Sequence, residues 1–399
     1  RQEVDGRGNV TDLVYNTLGK LVTKLDPTTN VTLRNGFIER RRPTTTYYYD
    51  KAGNLLGSQD ANGNTTSQTL LNLGDGETRV LKSFHADGGM RESRYDLFGQ
   101  VVRDIDEIGR VTDLGYDLLG RLVQVQRPQR ASGTASYIAT RSTDQYEYDA
   151  LGNRIAHTDA LGHREKTEFD EAGRVTRYTS FAGFSTSYGY AWDSTLTSAG
   201  GVQTGGWRKT TTRPDTRTLQ DDTDVFGRTV RHKDLGDRVT TYTYNHAGWL
   251  AQQTSTAGQN IAYSYYANGY IKAIADTGTG MDTLSRFEYD NEGNRTFEAY
   301  TTNASGNARS YYQFAEVSYD ELNRVVKVLD PKAEIRYEYD AVGNRRRVWS
   351  YYHDGINGST ALQDYWYDYD SMNRFVISMG KLTNGARGSS ASDTAVAVV

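Results

Sequence analysis

Aromatic and polar residues alternate in short runs along this chain. Tyr146-Glu147-Tyr148, Tyr242-Thr243-Tyr244 and Phe287-Glu288-Tyr289 each set two rings two positions apart. That spacing puts both rings on one face of an extended strand. No apolar period of 3.6 residues is sustained over the length of a helix, so the pattern predicts many short strands and few helices. A fixed punctuation follows each run: an aromatic, Asp or Asn, two variable residues, then Gly or Asn.

The punctuation recurs as Tyr15-Asn16 with Gly19, Tyr49-Asp50 with Gly53, Tyr95-Asp96 with Gly99, Tyr116-Asp117 with Gly120, and Tyr148-Asp149 with Gly152. It continues as Phe169-Asp170 with Gly173, Tyr244-Asn245 with Gly248, Tyr289-Asp290 with Gly293, Tyr319-Asp320 with Asn323, Tyr339-Asp340 with Gly343, and Tyr369-Asp370 with Asn373. That makes eleven copies, with a degenerate one at 223–228. The best preserved are YEYDALGNR (146–154) and YEYDAVGNR (337–345), which differ only at Leu151 and Val342. Adjacent copies are 21 residues apart from Tyr95 to Tyr116 and from Tyr148 to Phe169, and 20 apart from Tyr319 to Tyr339. A second turn class lacks the Tyr and lies between these copies, as at 5–9, 60–64, 106–110 and 159–163. The repeat unit is therefore two strands and two turns.

Turn chemistry explains the residue choice. Asp at the first position accepts hydrogen bonds from the following backbone amides, and Gly at the fourth supplies a left-handed residue and a bulge. Asn tolerates the same conformation, which accounts for Asn323 and Asn373. Tyr rings are expected to stack on Tyr rings between neighbouring hairpins. The Arg that often follows the Gly, as at Arg110, Arg121, Arg174 and Arg228, is expected to lie over a neighbouring ring or to pair with a turn Asp.

Composition sharpens this picture. The 399 residues include 30 Tyr and 40 Gly but only 5 Pro, an all-β signature of many short strands and turns. Residues 1–379 read as one antiparallel hairpin array. Gly-, Ser-, Thr-, Asn- and Asp-rich insertions fall near 131–145, 182–222, 276–286, 300–310 and 351–363, and are expected to be long hairpin tips or loops. Residues 380–399 read as a flexible or truncated tail. The polar start without Met reads like a piece of something longer. With 46 basic against 50 acidic residues, the net charge of −4 argues against a general nucleic-acid footprint. No stretch approaches the roughly 18 apolar residues of a membrane helix. The chain has no Cys, so disulfides, thiolate metal sites and Cys nucleophiles are excluded.

Tyr-Asp-x-x-Gly-Arg/Asn at this spacing resembles the YD repeat of Rhs (rearrangement hotspot) proteins, also found in the B and C components of insecticidal Tc toxins and in teneurins. The resemblance runs from about residue 5 to about residue 377. It implies a β-strip wound in a spiral into a hollow shell, which in bacterial members encloses a toxic C-terminal domain and in teneurins forms a barrel on an adhesion receptor. The family's closing Asp-Pro-x-Gly-Leu segment has no match here. Asp26-Pro27 is followed by Thr-Thr-Asn and Asp330-Pro331 by Lys-Ala-Glu, so the self-cleaving segment and the toxin domain are expected to be absent from this chain.

The resemblance implies a structural, non-enzymatic shell segment of a bacterial protein, secreted or on the cell surface, or cytoplasmic before export. Its partner would be a toxin or effector cargo of the same polypeptide. The alternative is an extracellular adhesion or carbohydrate-binding module, and the least favoured is a glycan-cleaving enzyme with carboxylates on a concave side. Trp192, Trp207, Trp249, Trp349 and Trp366 are the candidate sugar platforms, with Trp207 and Trp366 foremost. No catalytic, cofactor or metal residues are assigned. The turn Asp residues offer one carboxylate each where Ca²⁺ needs six to eight oxygens, and His157 and His163 alone are close in sequence. The basic clusters at 40–50 and 343–349 read as solvated hairpin faces rather than nucleic-acid contacts. Open first and last strands are expected to make the isolated chain self-associate edge to edge.

Overall fold

The computed structural model describes residues 1–128, 141–278, 282–303, 313–353 and 360–379, and three two-residue strands at 382–383, 386–387 and 396–397. Parts of the expected insertions, and most of the expected tail, lie outside these residues. The protein is all-β, built from antiparallel hairpins in chain order. Among the described residues the only helical element is a 3-10 turn at Ala199–Gly201.

The residues form two compact units, one of Arg1–Glu92 with Ser285–Thr301 and Ser310–Val399, the other of Ser93–Leu284 with Thr302–Arg309. In the second unit the strands form a meander. Val101–Ile105 pairs with Val111–Tyr116, which pairs with Leu122–Gln126, which pairs with Thr143–Tyr148, and so on through Ser185–Asp193. Consecutive turns therefore alternate between the two borders of the sheet. Every Tyr-Asp turn falls on one border and every turn of the second class on the other. Residues 182–222, expected to be a long hairpin tip or loop, are largely hairpin strand: Ser185–Asp193, Gly206–Thr212 and Thr218–Asp224 pair with one another, with a loop at 194–205 and a turn at 213–217. Thr, Tyr and Trp in these segments suit a pleated surface, which outweighs their Gly and Ser content.

In the first unit an extra hairpin, Thr29–Thr32 with Ile38–Arg41, pairs only with itself. The strands flanking it, Leu21–Leu25 and Thr44–Tyr49, pair directly with each other. The expelled hairpin lies against the C-terminal strands instead. Thr29, Val31 and Thr32 are buried, and the two threonine hydroxyls donate to Glu321 at 2.9 Å and Glu338 at 3.1 Å. Burial elsewhere is shallow, because most side chains are covered only by strand neighbours. Several of the most buried groups are carboxylates with guanidinium partners: Asp222 with Arg208 and Arg231, Asp364 with Arg347, and Asp368 with Arg346. Paired in this way, the charges do not stand uncompensated in a dry environment.

Candidate functional site: the turn borders of the sheet

A Tyr-Asp turn is built the same way at each copy. In Asp149–Asn153 the Gly152 amide donates to the Asp149 carbonyl at 3.2 Å, and the Asp149 amide to the Asn153 carbonyl at 3.0 Å. The Asp149 carboxylate accepts the Asn153 amide at 2.8 Å and the Asn153 side chain at 2.9 Å. Gly152 has φ 90°, and the pairing register shifts just before it, between Glu147 and Tyr148. Asn323 and Asn373 stand in the Gly place with φ 60°. Second-class turns use the same geometry: the Asp106 carboxylate accepts the amides of Ile108 at 3.2 Å and Arg110 at 2.9 Å. Donors around the carboxylate hold Asp149 and Asp117 below the usual range. For Asp149 the main donor is the Asn153 side chain, and for Asp117 the Arg121 amide.

The tyrosine before seven of these turns has a specific partner. The Tyr148 hydroxyl donates to the Leu122 carbonyl at 2.8 Å. Tyr49 reaches Leu21, Tyr116 reaches Val101, Tyr244 reaches Thr229, Tyr319 reaches Arg295, Tyr339 reaches Val325 and Tyr369 reaches Arg345 in the same way. In each case the acceptor is the fifth residue past the Asp or Asn of a preceding turn, so every such ring ties one hairpin to an earlier one. Burial raises the phenol pKa at Tyr116, Tyr244, Tyr319, Tyr339 and Tyr369.

The expected guanidinium lies over several of these rings. Arg121 lies 4.8 Å from the Tyr148 ring centroid, Arg174 4.6 Å from Tyr190, Arg228 4.7 Å from Tyr244 and Arg324 4.7 Å from Tyr339. At these distances each guanidinium makes a cation–π contact with the ring it covers. The same arginines also bind their own turn aspartates, as Arg121 does Asp117 at 2.8 Å. Arg121 and Arg324 go on to donate to the carbonyl of the next turn's Asp, at Asp149 and Asp340, and Gln100 donates to the Gly120 carbonyl at 2.8 Å. Successive Tyr-Asp turns are thus laced together along their border.

Two copies escaped the sequence pattern, and one found copy departs from it. Tyr265 donates to the Leu250 carbonyl at 2.6 Å, but Tyr266 stands where Asp belongs. Tyr190 donates to the Val175 carbonyl at 3.0 Å, ahead of the 194–205 loop. Trp249 occupies the Arg place and packs on Tyr265 at 5.2 Å. Spacing was the available signal, since Tyr265 lies 21 residues past Tyr244.

In the first unit the two borders meet. Second-class turns of the N-terminal segment sit on Tyr-Asp turns of the C-terminal segment. Arg7 donates to the Asp320 carbonyl and, at 2.7 Å, to Asn323, and pairs with Asp290 at 3.7 Å. The Gly6 amide donates to Glu292. Asn62 donates to Asp340 at 3.0 Å, and Arg374 to Asp87 at 2.8 Å. These contacts join residues 278 to 316 positions apart.

The remaining sequence candidates divide. Trp366 is 1% exposed, with Arg347 4.9 Å over its ring. This corrects its assignment as a sugar platform, because a buried ring has no face to offer. Trp207 is 43% exposed, edge-on to the exposed Trp192 at 5.5 Å, with Arg174 5.0 Å over its ring. The basic clusters are engaged internally: Arg40 with Glu321, Arg42 with Asp12, Arg346 with Asp368, and Arg347 with Asp364 and Glu338. Among the described residues no group of three His, Asp or Glu side chains is placed to hold a metal ion, and no helix is long and apolar enough to cross a membrane.

Comparison with known proteins agrees with the turn chemistry. The RHS Repeat family model matches residues 95–132 and 148–185. The chain is 26% identical over 141 residues to the double-stranded DNA deaminase toxin A of Burkholderia cenocepacia, covering 35% of this chain and 9% of that protein. It is 25% identical over 250 residues to the tRNA3(Ser)-specific nuclease WapA of Bacillus spizizenii, covering 61% and 9%. It is 34% identical over 115 residues to the toxin protein Tse5 of Pseudomonas aeruginosa, covering 29% and 8%. The chain thus spans less than a tenth of the length of these relatives. Among solved structures, TcdB2-TccC3 aligns with a TM-score of 0.48 at 16% identity, over 94% of this chain and 24% of that one. The chain thus carries RHS repeats at 95–132 and 148–185, and its Tyr-Asp turns, their spacing and its toxin relatives make it similar to Rhs/YD-repeat proteins.

Proposed function

We propose that this chain is a structural, non-enzymatic wall segment of a bacterial Rhs-type protein, and that the wall encloses and protects a toxin or effector cargo of the same polypeptide. The observation that carries this reading is the clasp in the first unit. There the strip returns to itself after nearly three hundred residues and seals second-class turns onto Tyr-Asp turns. A strip clasped in this way covers the turn tips at the contact, and its pleated faces remain broad enough to line a polypeptide. The names of the toxin relatives fit a cargo role for the polypeptide beyond the repeats, and export or display at the cell surface follows from the same reading.

Protease protection in the full-length gene product tests it. The polypeptide following the repeats should resist digestion while the wall is intact and be cut rapidly once Arg7→Ala and Arg374→Ala open the clasp. Digestion at the rate of the free polypeptide in the intact protein overturns the proposal.

The exposed Trp192–Trp207 pair favours a second reading, a carbohydrate-binding surface. Saturable glycan binding lost in Trp207→Ala supports that reading, and unchanged or absent binding rejects it.

A further inference from the structure

The second-class turn at 60–64 carries the dipeptide Asn62-Gly63 and takes part in the clasp. The Gly63 amide donates to the Asp60 carbonyl at 3.0 Å, and the Asp60 carboxylate accepts the amides of Asn62 and Asn64, each at 2.9 Å. The Asn62 side chain leaves this frame and donates to Asp340 Oδ2 at 3.0 Å. Asp340 is 4% exposed, and its other partners are also donors: the Asn344 side chain at 2.9 Å, the Asn344 amide at 2.8 Å and the Val342 amide at 3.1 Å. The contact across the clasp therefore depends on position 62 supplying an N–H.

An Asn followed by Gly is also chemically labile. Gly has no Cβ to hinder attack and lets its peptide unit rotate toward the preceding side chain. The Gly63 nitrogen attacks the side-chain carbon of Asn62, the bond from that carbon to its amide nitrogen breaks, and ammonia leaves with the proton of the Gly63 amide. Water then opens the succinimide ring to aspartate or isoaspartate. In the clasped turn both reacting groups are held, the Gly63 N–H by Asp60 and the Asn62 amide by Asp340. A cleft of about 730 Å³, lined by Asn62, Asn64, Asp340 and Arg346 among others, gives water access to the site.

We propose that Asn62 is a self-modifying site of the clasp, protected while the clasp is closed and deamidated once it opens, and that the product hinders reclosure. A carboxylate at position 62 would meet the Asp340 carboxylate at hydrogen-bonding distance with no proton between them, a repulsion of like charges. The neighbouring guanidinium groups are committed elsewhere, Arg346 to Asp368 and Arg41 to Glu39. Isoaspartate would in addition lengthen the main chain inside the turn. This inference concerns the clasp alone and stands whether or not the wall holds a cargo. Asn268-Gly269 provides an internal reference, since it holds the same place in the 266–270 turn of the second unit, outside the clasp.

Peptide mapping by mass spectrometry, on the full chain aged at neutral pH, tests the protection. Arg7→Ala/Arg374→Ala removes the clasp contacts on either side of Asn62, and far-UV circular dichroism checks that the sheet remains. Conversion at Asn62 should be at least about tenfold faster in that variant than in the wild type, the factor given by losing one hydrogen bond to a charged group. Conversion at Asn268 should be the same in both. Asn62→Asp, made directly, should speed amide exchange at least about tenfold at 340–344, across the contact, as well as within 60–64. Asn62→Gln keeps a donor but does not close the ring readily, so its exchange at 340–344 should not change on ageing. Equal conversion of Asn62 in the closed and opened chains, unchanged exchange at 340–344 in Asn62→Asp, or loosening of the aged Gln variant to the extent of the aged wild type each overturns the proposal.

Discussion

The hydroxyl of Tyr148 donates a 2.8 Å hydrogen bond to the carbonyl of Leu122, one hairpin earlier. The guanidinium of Arg121, the residue before that carbonyl, lies over the same ring. Tyrosine is needed because the ring fills the space beside the cation while the hydroxyl satisfies a strand carbonyl at the bulge. Tyr148→Phe should therefore cost about 1 kcal/mol in urea unfolding with an unchanged m value, and Tyr148→Ala about 3 kcal/mol or more. Equal stability of wild type and the Phe variant would show that the hydroxyl bond contributes nothing.

Gly152 tests the turn alone. A Cβ there meets nothing within 4 Å, yet φ is 90°. Gly152→Ala should lose about 1 kcal/mol through backbone conformation only. Gly152→Asn should lose less, because the chain itself places Asn323 and Asn373 in that turn position. If Asn and Ala cost the same, left-handed backbone is not what the position selects.

Acid should loosen the array at its turns. Asp50, Asp117, Asp149, Asp170 and Asp370 all titrate below the ordinary value near 3.8. At Asp50 and Asp149 the main cause is the Asn side chain at the end of the turn, and at Asp117, Asp170 and Asp370 the backbone amide of the following Arg. A depressed folded-state pKa means the unfolded chain binds more protons in this range, so stability rises with pH there. The stabilisation is complete above the ordinary value and lost as pH falls through the folded-state values. Thermal midpoints should be flat near neutrality and fall steeply below about pH 4, with a shallower fall in Asp149→Asn. A midpoint that is flat down to strong acid would rule this out.

The clasp should be separable from the rest. Arg7→Ala removes charge-assisted hydrogen bonds to the 320–323 turn and the ion pair with Asp290, worth about 1–3 kcal/mol before discounting for solvent. Amide exchange should quicken at 5–9, 290–294 and 320–324 and stay unchanged in the 117–121 and 149–153 turns. Uniform acceleration along the chain would mean that the contact is not local.

The two foremost tryptophans should behave oppositely. Trp366→Ala opens a cavity at a fully covered site and should cost about 3–5 kcal/mol. Trp207→Ala, at a half-open ring, should cost under about 1 kcal/mol. Comparable losses would contradict their different burial.

Much of this fold is written in local chemistry. Asp149, Gly152 and Asn153 specify a turn within five residues, so the array and its borders can be read directly from the chain. The guanidinium over the ring was only half legible. Arg121 sits beside the turn in sequence, but which ring it covers depends on strand twist. The clasp was not legible, since Arg7 and Asn323 are joined by docking and nothing in either neighbourhood names the other. The hairpin at 29–41 left one trace, a 34-residue gap between Tyr15 and Tyr49 against 21 at the tightest adjacent copies such as Tyr95 and Tyr116. The exposure of Trp207 against the burial of Trp366 was equally hidden, because both lie in similar aromatic, charged strands.

Where the turn tyrosines tie hairpins together, the hydroxyl bonds to a main-chain carbonyl, and the residue that supplies it is Leu21, Val101, Thr229 or Arg345 with equal success. The joint between hairpins therefore ignores the identity of the side chain it meets. Hairpins bound by such joints are interchangeable parts: one can be duplicated, deleted or exchanged between genes, and the new neighbours already fit. Genetic recombination within the array meets little structural resistance, so wall length and border composition are free to diversify while the joint itself stays the same.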